Sequence, residues 1–309
     1  MRVPGAESRG YSGSFASGRI ESKLMKIGAA DDRKTTRYET MIQHLPVVAL
    51  LVCCLRLSAL AQDNYEIQVY GADTVPRGMT MMEFHTNFTV EGQKQVENGV
   101  APTHHSVHET LEITHGFTPW FEVGFYVFSS IQPDDGWNWV GDHIRPRIAA
   151  PESWHLPVGL SLSQEIGYQR RKFSEDSWTY ELRPIIDKKV GRWYFSFNPT
   201  FEKSIHGLNQ DRGFEFSPNV KVSFDLTKKI TGGLEYYGGL GPVADFDSLS
   251  NQSQQLFPSI DLNLSPNWEV NFGAGIGVTR STDRLILKCI IGRRFSWGRK
   301  AGGANGNPN

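Results

Sequence analysis

Apolar residues recur at every second position through most of the chain. In segment 193–201, for example, single, more polar residues separate Trp193, Phe195 and Phe197 from one another. Side chains on a β-strand point to opposite faces in turn, so this alternation predicts strands with one apolar and one polar face. A second such segment, 216–225, carries charged residues on its polar face, which indicates contact with water or with other charges.

The alternation and the turn residues between its segments predict about twelve strands. They lie near residues 79–90, 104–116, 119–130, 138–149, 157–168, 177–188, 191–204, 213–226, 228–240, 255–265, 267–279 and 284–295.

Short and long connections alternate between these strands. Tight turns are predicted at 116–119, 188–191, 226–228 and 265–267, and longer polar loops at 91–103, 130–137, 169–177, 204–212 and 241–254. Outer-membrane β-barrels keep short periplasmic turns and longer outside loops, whereas a soluble sandwich has no reason to sort its connections. The order therefore predicts an all-β, antiparallel transmembrane β-barrel in the bacterial outer membrane, with both termini periplasmic.

Segment 65–72 alternates as well, but it does not fit this count. A thirteenth strand would make the number odd, and single-chain bacterial barrels have even numbers. We therefore predict that residues 62–78 form a periplasmic lead-in and that residues 79–297 form the barrel.

The N-terminal region has the features of a targeting segment. An apolar run at 45–55 is followed by an A-x-A-type cleavage site within 57–62, which predicts a signal peptide over residues 41–61. The polar residues 1–40 are interpreted as a gene-model extension or a disordered N-terminus, and residues 298–309 as a disordered tail.

Composition excludes several classes of protein. No run of about 18 apolar residues occurs, which argues against membrane-spanning helices. The formal net charge of -1, without a basic stripe, argues against a nucleic-acid partner. Beyond the signal peptide only Cys289 remains, so no internal disulfide and no cysteine metal site is expected. Cys289 is in phase with Leu287 and is expected to face lipid.

The polar phase of the strands supplies the candidate lumen residues. Their common phase supports an inward position, because a charge facing hydrocarbon costs a few kcal/mol. They are Glu112, Glu122, His143, Arg145, Arg147, Glu165, Glu181, Arg183, Glu202, Glu215, Lys221, Glu235, Asp261, Glu269 and Lys288. Two interpretations stay open: the charges line a water-filled path and set its selectivity, with an acidic excess favouring cations, or they pair across the lumen and plug it.

The densest positive row is Arg145 and Arg147, with His143 before them on the same face. It can face an anionic group on a solute, or pair with neighbouring Glu165 and Glu122. His104 and His108 have the strand spacing for one metal ion, but no second cluster matches them, so surface histidines are favoured and no metal is expected.

One group of residues has the composition of a catalytic site. Ser204, His206 and Asn209 are the residue types of a lipid-acting barrel hydrolase, but nothing in the sequence fixes their geometry. No phosphate-binding loop and no GxSxG motif is present, so no enzyme activity is expected.

Four segments carry a family resemblance: 66–71 (EIQVYG), 108–116 (HETLEITHG), 120–126 (WFEVGFY) and 233–238 (GLEYYG). Together they resemble uncharacterised outer-membrane barrels grouped as the putative MetA-pathway of phenol degradation. The resemblance covers roughly residues 65–295 and implies an outer-membrane transporter of small, possibly aromatic or hydrophobic compounds. It supplies no catalytic or binding residues.

The sequence therefore predicts a passive outer-membrane channel for small solutes. Its expected partners are outer-membrane lipid, the outer-membrane assembly machinery and the solute, without a cofactor. The alternatives are a closed structural or adhesion barrel whose outer loops bind a ligand and, with less support, a lipid-acting barrel enzyme.

Overall fold

The computed structural model describes residues 64–296, which form a barrel of twelve antiparallel strands. The strands are β1 (Met79–Glu91), β2 (Val107–Thr118), β3 (Phe121–Gln132), β4 (Gly136–Ala149), β5 (Gly159–Gln169), β6 (Asp176–Val190), β7 (Trp193–Gly207), β8 (Phe214–Asp225), β9 (Ile230–Gly239), β10 (Ser253–Leu262), β11 (Trp268–Gly277) and β12 (Leu285–Ser296). Each strand pairs with its sequence neighbours, and β1 pairs with β12 to close the sheet. The predicted fold class and strand number are confirmed.

The connections are sorted between the two ends of the barrel. The short-turn end carries 119–120, 150–158, 191–192, 226–229 and 263–267, together with Met79 and Ser296. The long-loop end carries 92–106, 133–135, 170–175, 208–213, 240–252 and 278–284. Two connections depart from this sorting: the long loop predicted at 130–137 is wrong, because β3 and β4 extend and leave only 133–135 between them, and the short-turn end includes the longer connection 150–158. The predicted strand bounds agree with the structure to within about three residues, because turn residues mark the ends of the alternation.

The alternation maps onto the two faces of the barrel wall. Along β12, Leu287 and Ile291 are exposed, whereas Lys288 between them is buried. Cys289 is half-buried on the same outward phase as Leu287. The wall is therefore apolar outside and charged inside, the reverse of a soluble domain and the arrangement that a barrel in lipid requires.

Prolines lie where the hydrogen-bonded ladder is interrupted. The β4–β5 register skips Pro146, and the β6–β7 register skips Pro184 and Pro199. The β10–β11 register skips Pro258. Proline has no backbone N–H to donate, so the wall lacks ladder bonds at these points.

Residues 64–78, which we call the lumen segment, lie inside the barrel. Tyr65, Ile67, Val69, Tyr70 and Ala72 are all buried, and none of them belongs to a strand of the sheet. The expectation of a lead-in outside the barrel is therefore corrected for these residues. Their buried side chains pack against the inner face of the barrel wall, and their backbone does not form a strand of the sheet.

The predicted signal peptide, the N-terminal extension, the C-terminal tail and both chain termini lie outside the described residues. Among residues 64–296, the only helical segment is a single 3-10 turn at Glu152–Trp154, and no helix there is long and apolar enough to cross a membrane.

Candidate functional site

The lumen segment runs from the long-loop end of the barrel to the short-turn end. Its first carbonyl oxygen, on Asn64, accepts a hydrogen bond from Asn87 at 2.8 Å, close to the long loops. At the other end Thr74 donates to the carbonyl oxygen of Pro119, and the N–H of Gly78 donates to Gly116, both at the β2–β3 turn. The segment therefore spans the lumen lengthwise before β1 begins.

Strands all around the barrel hold the segment by side-chain hydrogen bonds. The donors and acceptors on the wall are Asn87 on β1, Thr110 on β2, Glu122 on β3, Arg147 on β4, Asp187 on β6, Asn198 on β7, Glu269 on β11 and Lys288 on β12. Contacts from opposite walls mean that the segment fills the cross-section of the barrel.

Tyr70 is the most heavily contacted residue of the segment. Its N–H donates to Asn198 Oδ1 at 2.7 Å, and its carbonyl oxygen accepts from Ser196 Oγ at 2.6 Å. The guanidinium carbons of Arg145 and Arg183 lie 4.6 Å and 5.0 Å from the ring centroid. These distances are within the range of cation–π attraction, which is strongest when water is excluded, so Tyr70 anchors the segment.

The predicted arginine row is paired inside the wall. Arg145 Nη2 lies 2.6 Å from Glu112 Oε1, and Arg147 Nε lies 2.7 Å from Glu122 Oε1. Arg147 also donates to the carbonyl oxygens of Gly71 and Asp73 on the lumen segment, at 3.0 Å and 2.7 Å. Of the two glutamates expected to pair with the arginine row, Glu122 does so, whereas Glu165 pairs with His143.

A second ion cluster lies across the barrel. Glu235 is paired with Lys288, and Lys221 Nζ lies 3.2 Å from Glu235 and 2.9 Å from Asp261. Lys288 also donates to the carbonyl oxygen of Ile67 at 3.2 Å. The buried charges of this cluster are thus paired, and one of them contacts the lumen segment.

His143 depends on a glycine opposite it. Gly167 on β5 pairs with His143 in the register, and a Cβ at this position would lie 1.6 Å from the imidazole Cδ2. The absence of a side chain at Gly167 lets the imidazole lie against the wall and hydrogen-bond Glu165.

Above the lumen segment, at the long-loop end, a cavity of about 490 Å³ opens. We call it the vestibule. Asn64, Tyr65 and Glu66 contribute to its floor, and residues of loops 92–106 and 278–284 contribute to its upper wall. Tyr65, Phe128 and Phe173 form an aromatic patch on one side.

Four glutamates form a continuous row on the vestibule wall. Glu165 pairs with Glu181 between β5 and β6, Glu181 with Glu202 between β6 and β7, and Glu202 with Glu215 between β7 and β8. We call these residues the acidic row. Like charges directly opposite each other on neighbouring strands are unfavourable, so this row is a costly feature of the wall. Part of the repulsion is offset by Arg183 beside Glu181 and Arg212 beside Glu215.

The loops at the vestibule rim are also connected. Lys172 of loop 170–175 pairs with Asp135 of loop 133–135. This hydrogen bond lowers the pKa of the exposed Asp135 carboxyl below its usual range.

The structure buries or half-buries all of the predicted lumen residues. Most of them meet in the two ion clusters and the acidic row; Glu269 instead receives a hydrogen bond from Gln68 at 3.1 Å. Tyr70 and the rest of the lumen segment are not among the predicted lumen residues. The signals for this segment in the sequence are the alternation at 65–72 and the EIQVYG motif at 66–71, and neither distinguishes a position inside the barrel from one outside it.

The other candidate groups are not brought together. His104 stacks on His105, whereas His108 is buried against Tyr65. His206 hydrogen-bonds Ser177 at 2.8 Å, and Ser204 Oγ has no hydrogen-bond partner within residues 64–296. Ser204, His206 and Asn209 therefore do not form a hydrogen-bonded triad.

No family model matches the chain, and no curated protein matches it. The structure is similar to that of the COG4313 outer membrane channel from Pseudomonas putida F1, with a TM-score of 0.50 and 10% identity over 74% of this chain and 100% of that chain. The fold is that of an outer-membrane β-barrel. The NanC porin (TM-score 0.44, 9% identity, 69% and 97% covered) and Omp33 of Acinetobacter baumannii (0.42, 9%, 73% and 100%) are further matches. The resemblance to the phenol-degradation group stays a prediction.

Proposed function

We propose that this protein is a passive channel for small solutes in the bacterial outer membrane, and that the lumen segment closes it in the state described here. The observation that carries the proposal is a complete barrel whose charged lumen is filled by a segment outside the sheet. The solved channel with the same fold supports this function.

The way in which the segment is held favours movement. The sheet closes through β1 and β12 without it, so its departure would break no ladder hydrogen bond. Its polar contacts are hydrogen bonds and an ion pair with wall side chains, which water can replace, and its apolar side chains pack against Tyr126, Ile185 and Tyr237 of the wall. Removal of the segment would leave a polar, charged wall that is compatible with a water-filled path.

The vestibule indicates the charge of the solute. The acidic row places four carboxylates on neighbouring strands of the vestibule wall, and acidic residues outnumber basic ones among all residues that line the cavity. A wall of this sign concentrates cations near the entrance. The aromatic patch of Tyr65, Phe128 and Phe173 offers a surface for a small aromatic cation.

The orientation and the remaining partners are part of the proposal. The short-turn end is placed at the periplasm, following the general rule for such barrels. The exposed apolar belt, with residues such as Phe125, Ile144 and Leu287, would contact outer-membrane lipid. The assembly machinery would recognise the last strand, β12.

The test is single-channel recording of the refolded chain from Gln62 onwards, in a planar bilayer under a salt gradient. The proposal predicts infrequent discrete openings and a reversal potential of the sign expected for cation preference. Anion preference would contradict the role of the acidic row. Complete silence at all voltages, from barrels whose folding is shown by heat-modifiable gel migration, would contradict channel function.

Such silence would favour the second candidate, a closed barrel whose long loops bind a ligand. The filled lumen is the observation in favour of this alternative.

A further inference from the structure

A group of metal-ligating side chains lies inside the wall, away from Lys221 and Arg183, and its member Glu112 is also paired with Arg145. Glu83 and His85 are two residues apart on β1 and share its inward face. Glu112 on β2 is directly opposite Glu83 in the register. One ligand atom from each of the three residues lies within 4.8 Å of the others.

These side chains are almost completely buried but lack partners. His85 is 0% exposed, Glu112 1% and Glu83 6%. Both ring nitrogens of His85, Oε1 of Glu83 and Oε2 of Glu112 have no hydrogen-bond partner among the described residues. Each buried polar atom without a partner costs about 1–3 kcal/mol, so a cation that binds one atom from each of the three residues would recover part of this cost.

The surrounding residues orient Glu112 towards this point. Its Oε1 accepts hydrogen bonds from Arg145 Nη2 and Thr114 Oγ1, both at 2.6 Å. Its Oε2 is left free and lies 3.9 Å from His85 Nε2. Groups that hold one oxygen of a carboxylate and leave the other free are typical of the outer shell of a metal site.

We propose that Glu83, His85 and Glu112 bind a divalent first-row transition metal of the Zn²⁺ type. In a tetrahedral site, ligand atoms about 2.0–2.2 Å from the ion lie about 3.3–3.6 Å from one another. The distance of 3.9 Å between Glu112 Oε2 and His85 Nε2 exceeds this by a few tenths of an ångström, and separations of up to 4.8 Å within the group would have to close by about 1 Å when the ion binds. An imidazole ligand selects such metals over Mg²⁺ and Ca²⁺, which prefer all-oxygen sites.

The charge balance permits a dication. Glu83 and Glu112 supply two carboxylates, and the positive charge of Arg145 is shared between Glu112 and Glu122, whose Oε1 lies 3.7 Å from Arg145 Nη2. The ion would join β1 to β2 beside the arginine that contacts Tyr70.

The experiment uses the refolded chain and Zn²⁺ alone. The chain is refolded with Zn²⁺, separated from excess metal by gel filtration, and assayed for bound zinc by atomic absorption. Co²⁺ in place of Zn²⁺ reports the ligand set by its visible spectrum. The proposal predicts about one ion for each folded chain and at least a tenfold loss of affinity in His85→Asn and in Glu83→Gln.

The matched control is His108→Asn, which removes a buried imidazole on β2, outside the proposed site, and should leave zinc binding unchanged. Folding of each variant is checked by heat-modifiable migration, and Glu83→Gln carries the test if His85→Asn does not fold. Wild-type barrels without stoichiometric zinc, or unchanged affinity in the folded variants, would overturn the proposal. Loss of binding in a His104→Asn/His105→Asn double variant would assign the metal to the loop and would also overturn it.

Discussion

Replacing Tyr70 with alanine should release the lumen segment. The ring of Tyr70 is buried, and the guanidinium carbons of Arg145 and Arg183 lie 4.6 Å and 5.0 Å from its centroid. Alanine keeps the backbone hydrogen bonds to Ser196 and Asn198 but removes both cation–π contacts and the buried ring.

The size of the effect follows from these contacts. Two cation–π contacts to arginines that are also paired with glutamates contribute about 1 kcal/mol each, and burial of the ring contributes about 2 kcal/mol. Partial relaxation of the arginines reduces the sum, so we expect a loss of about 3 kcal/mol. At 1.4 kcal/mol for each factor of ten, the ratio of open to closed channels should rise on the order of 100-fold.

The assay is the open probability in single-channel recordings, compared with the wild-type protein. Tyr70→Phe keeps the ring and should show a much smaller increase, since it loses only the hydroxyl group with its hydrogen bonds to Glu66 and Tyr126. Tyr180→Ala removes a tyrosine that hydrogen-bonds Gln164 at an exposed position and should have no effect on opening. An unchanged open probability in folded Tyr70→Ala barrels would refute the anchoring role of Tyr70.

Three further predictions concern the wall. Arg145→Met leaves Glu112 buried without its cation and removes one of the two arginines beside Glu122, so it should lower the free energy of unfolding by about 3–5 kcal/mol in urea titrations. The control is Lys172→Ala, which breaks an exposed ion pair and should lower the free energy of unfolding by less than about 1 kcal/mol. Equal losses in the two variants would contradict the prediction. Gly167→Ala would place a methyl group 1.6 Å from His143 Cδ2 and should cost about 1–3 kcal/mol in the same titration, whereas Gly232→Ala meets only the flexible end of Leu226, at 3.2 Å, and should be tolerated. The double variant Glu181→Gln/Glu202→Gln removes two members of the acidic row and should shift the reversal potential towards the value expected for anion preference. The control Glu152→Gln, at the short-turn end, should leave the reversal potential unchanged. An unchanged reversal potential in the double variant would show that the acidic row does not lie on the solute path.

The wall of the barrel was predictable because its causes are local. Alternation with period two requires only the nearest neighbours in sequence, and the turn residues between β2 and β3 or between β6 and β7 mark the strand ends. The inward phase of Lys288, Glu235 and Arg145 also followed, because a charge facing lipid is costly.

The contents of the lumen were not predictable in the same way. The segment 65–72 alternates like a strand, and nothing local distinguishes a strand in the wall from a segment that packs against it. Tyr70 contacts Asn198 and Arg183, which are more than a hundred residues away in sequence. The pairing of Arg145 with Glu112, and of His143 with Glu165, likewise depends on the register between strands, which the pattern of a single strand does not contain.

A reversible disulfide tests most directly whether the lumen segment closes the channel. A Cβ placed on Gly159 lies 3.0 Å from the Cβ of Ala72 and 2.1 Å from Asp187 Oδ1, so the Asp187 side chain must turn away when residue 159 is a cysteine. Disulfides need about 3.5–4.5 Å between the two Cβ atoms, so a shift of about half an ångström would let Ala72→Cys and Gly159→Cys bond to each other. Cys289→Ser removes the native thiol, and Ala72→Cys alone is the control.

If the lumen segment closes the channel, oxidised double-cysteine barrels should not open, and reductant should restore the openings seen in the control. Equal open probability before and after reduction, with the disulfide verified by mass spectrometry, would show that solute passes without movement of the segment and would contradict closure by the segment.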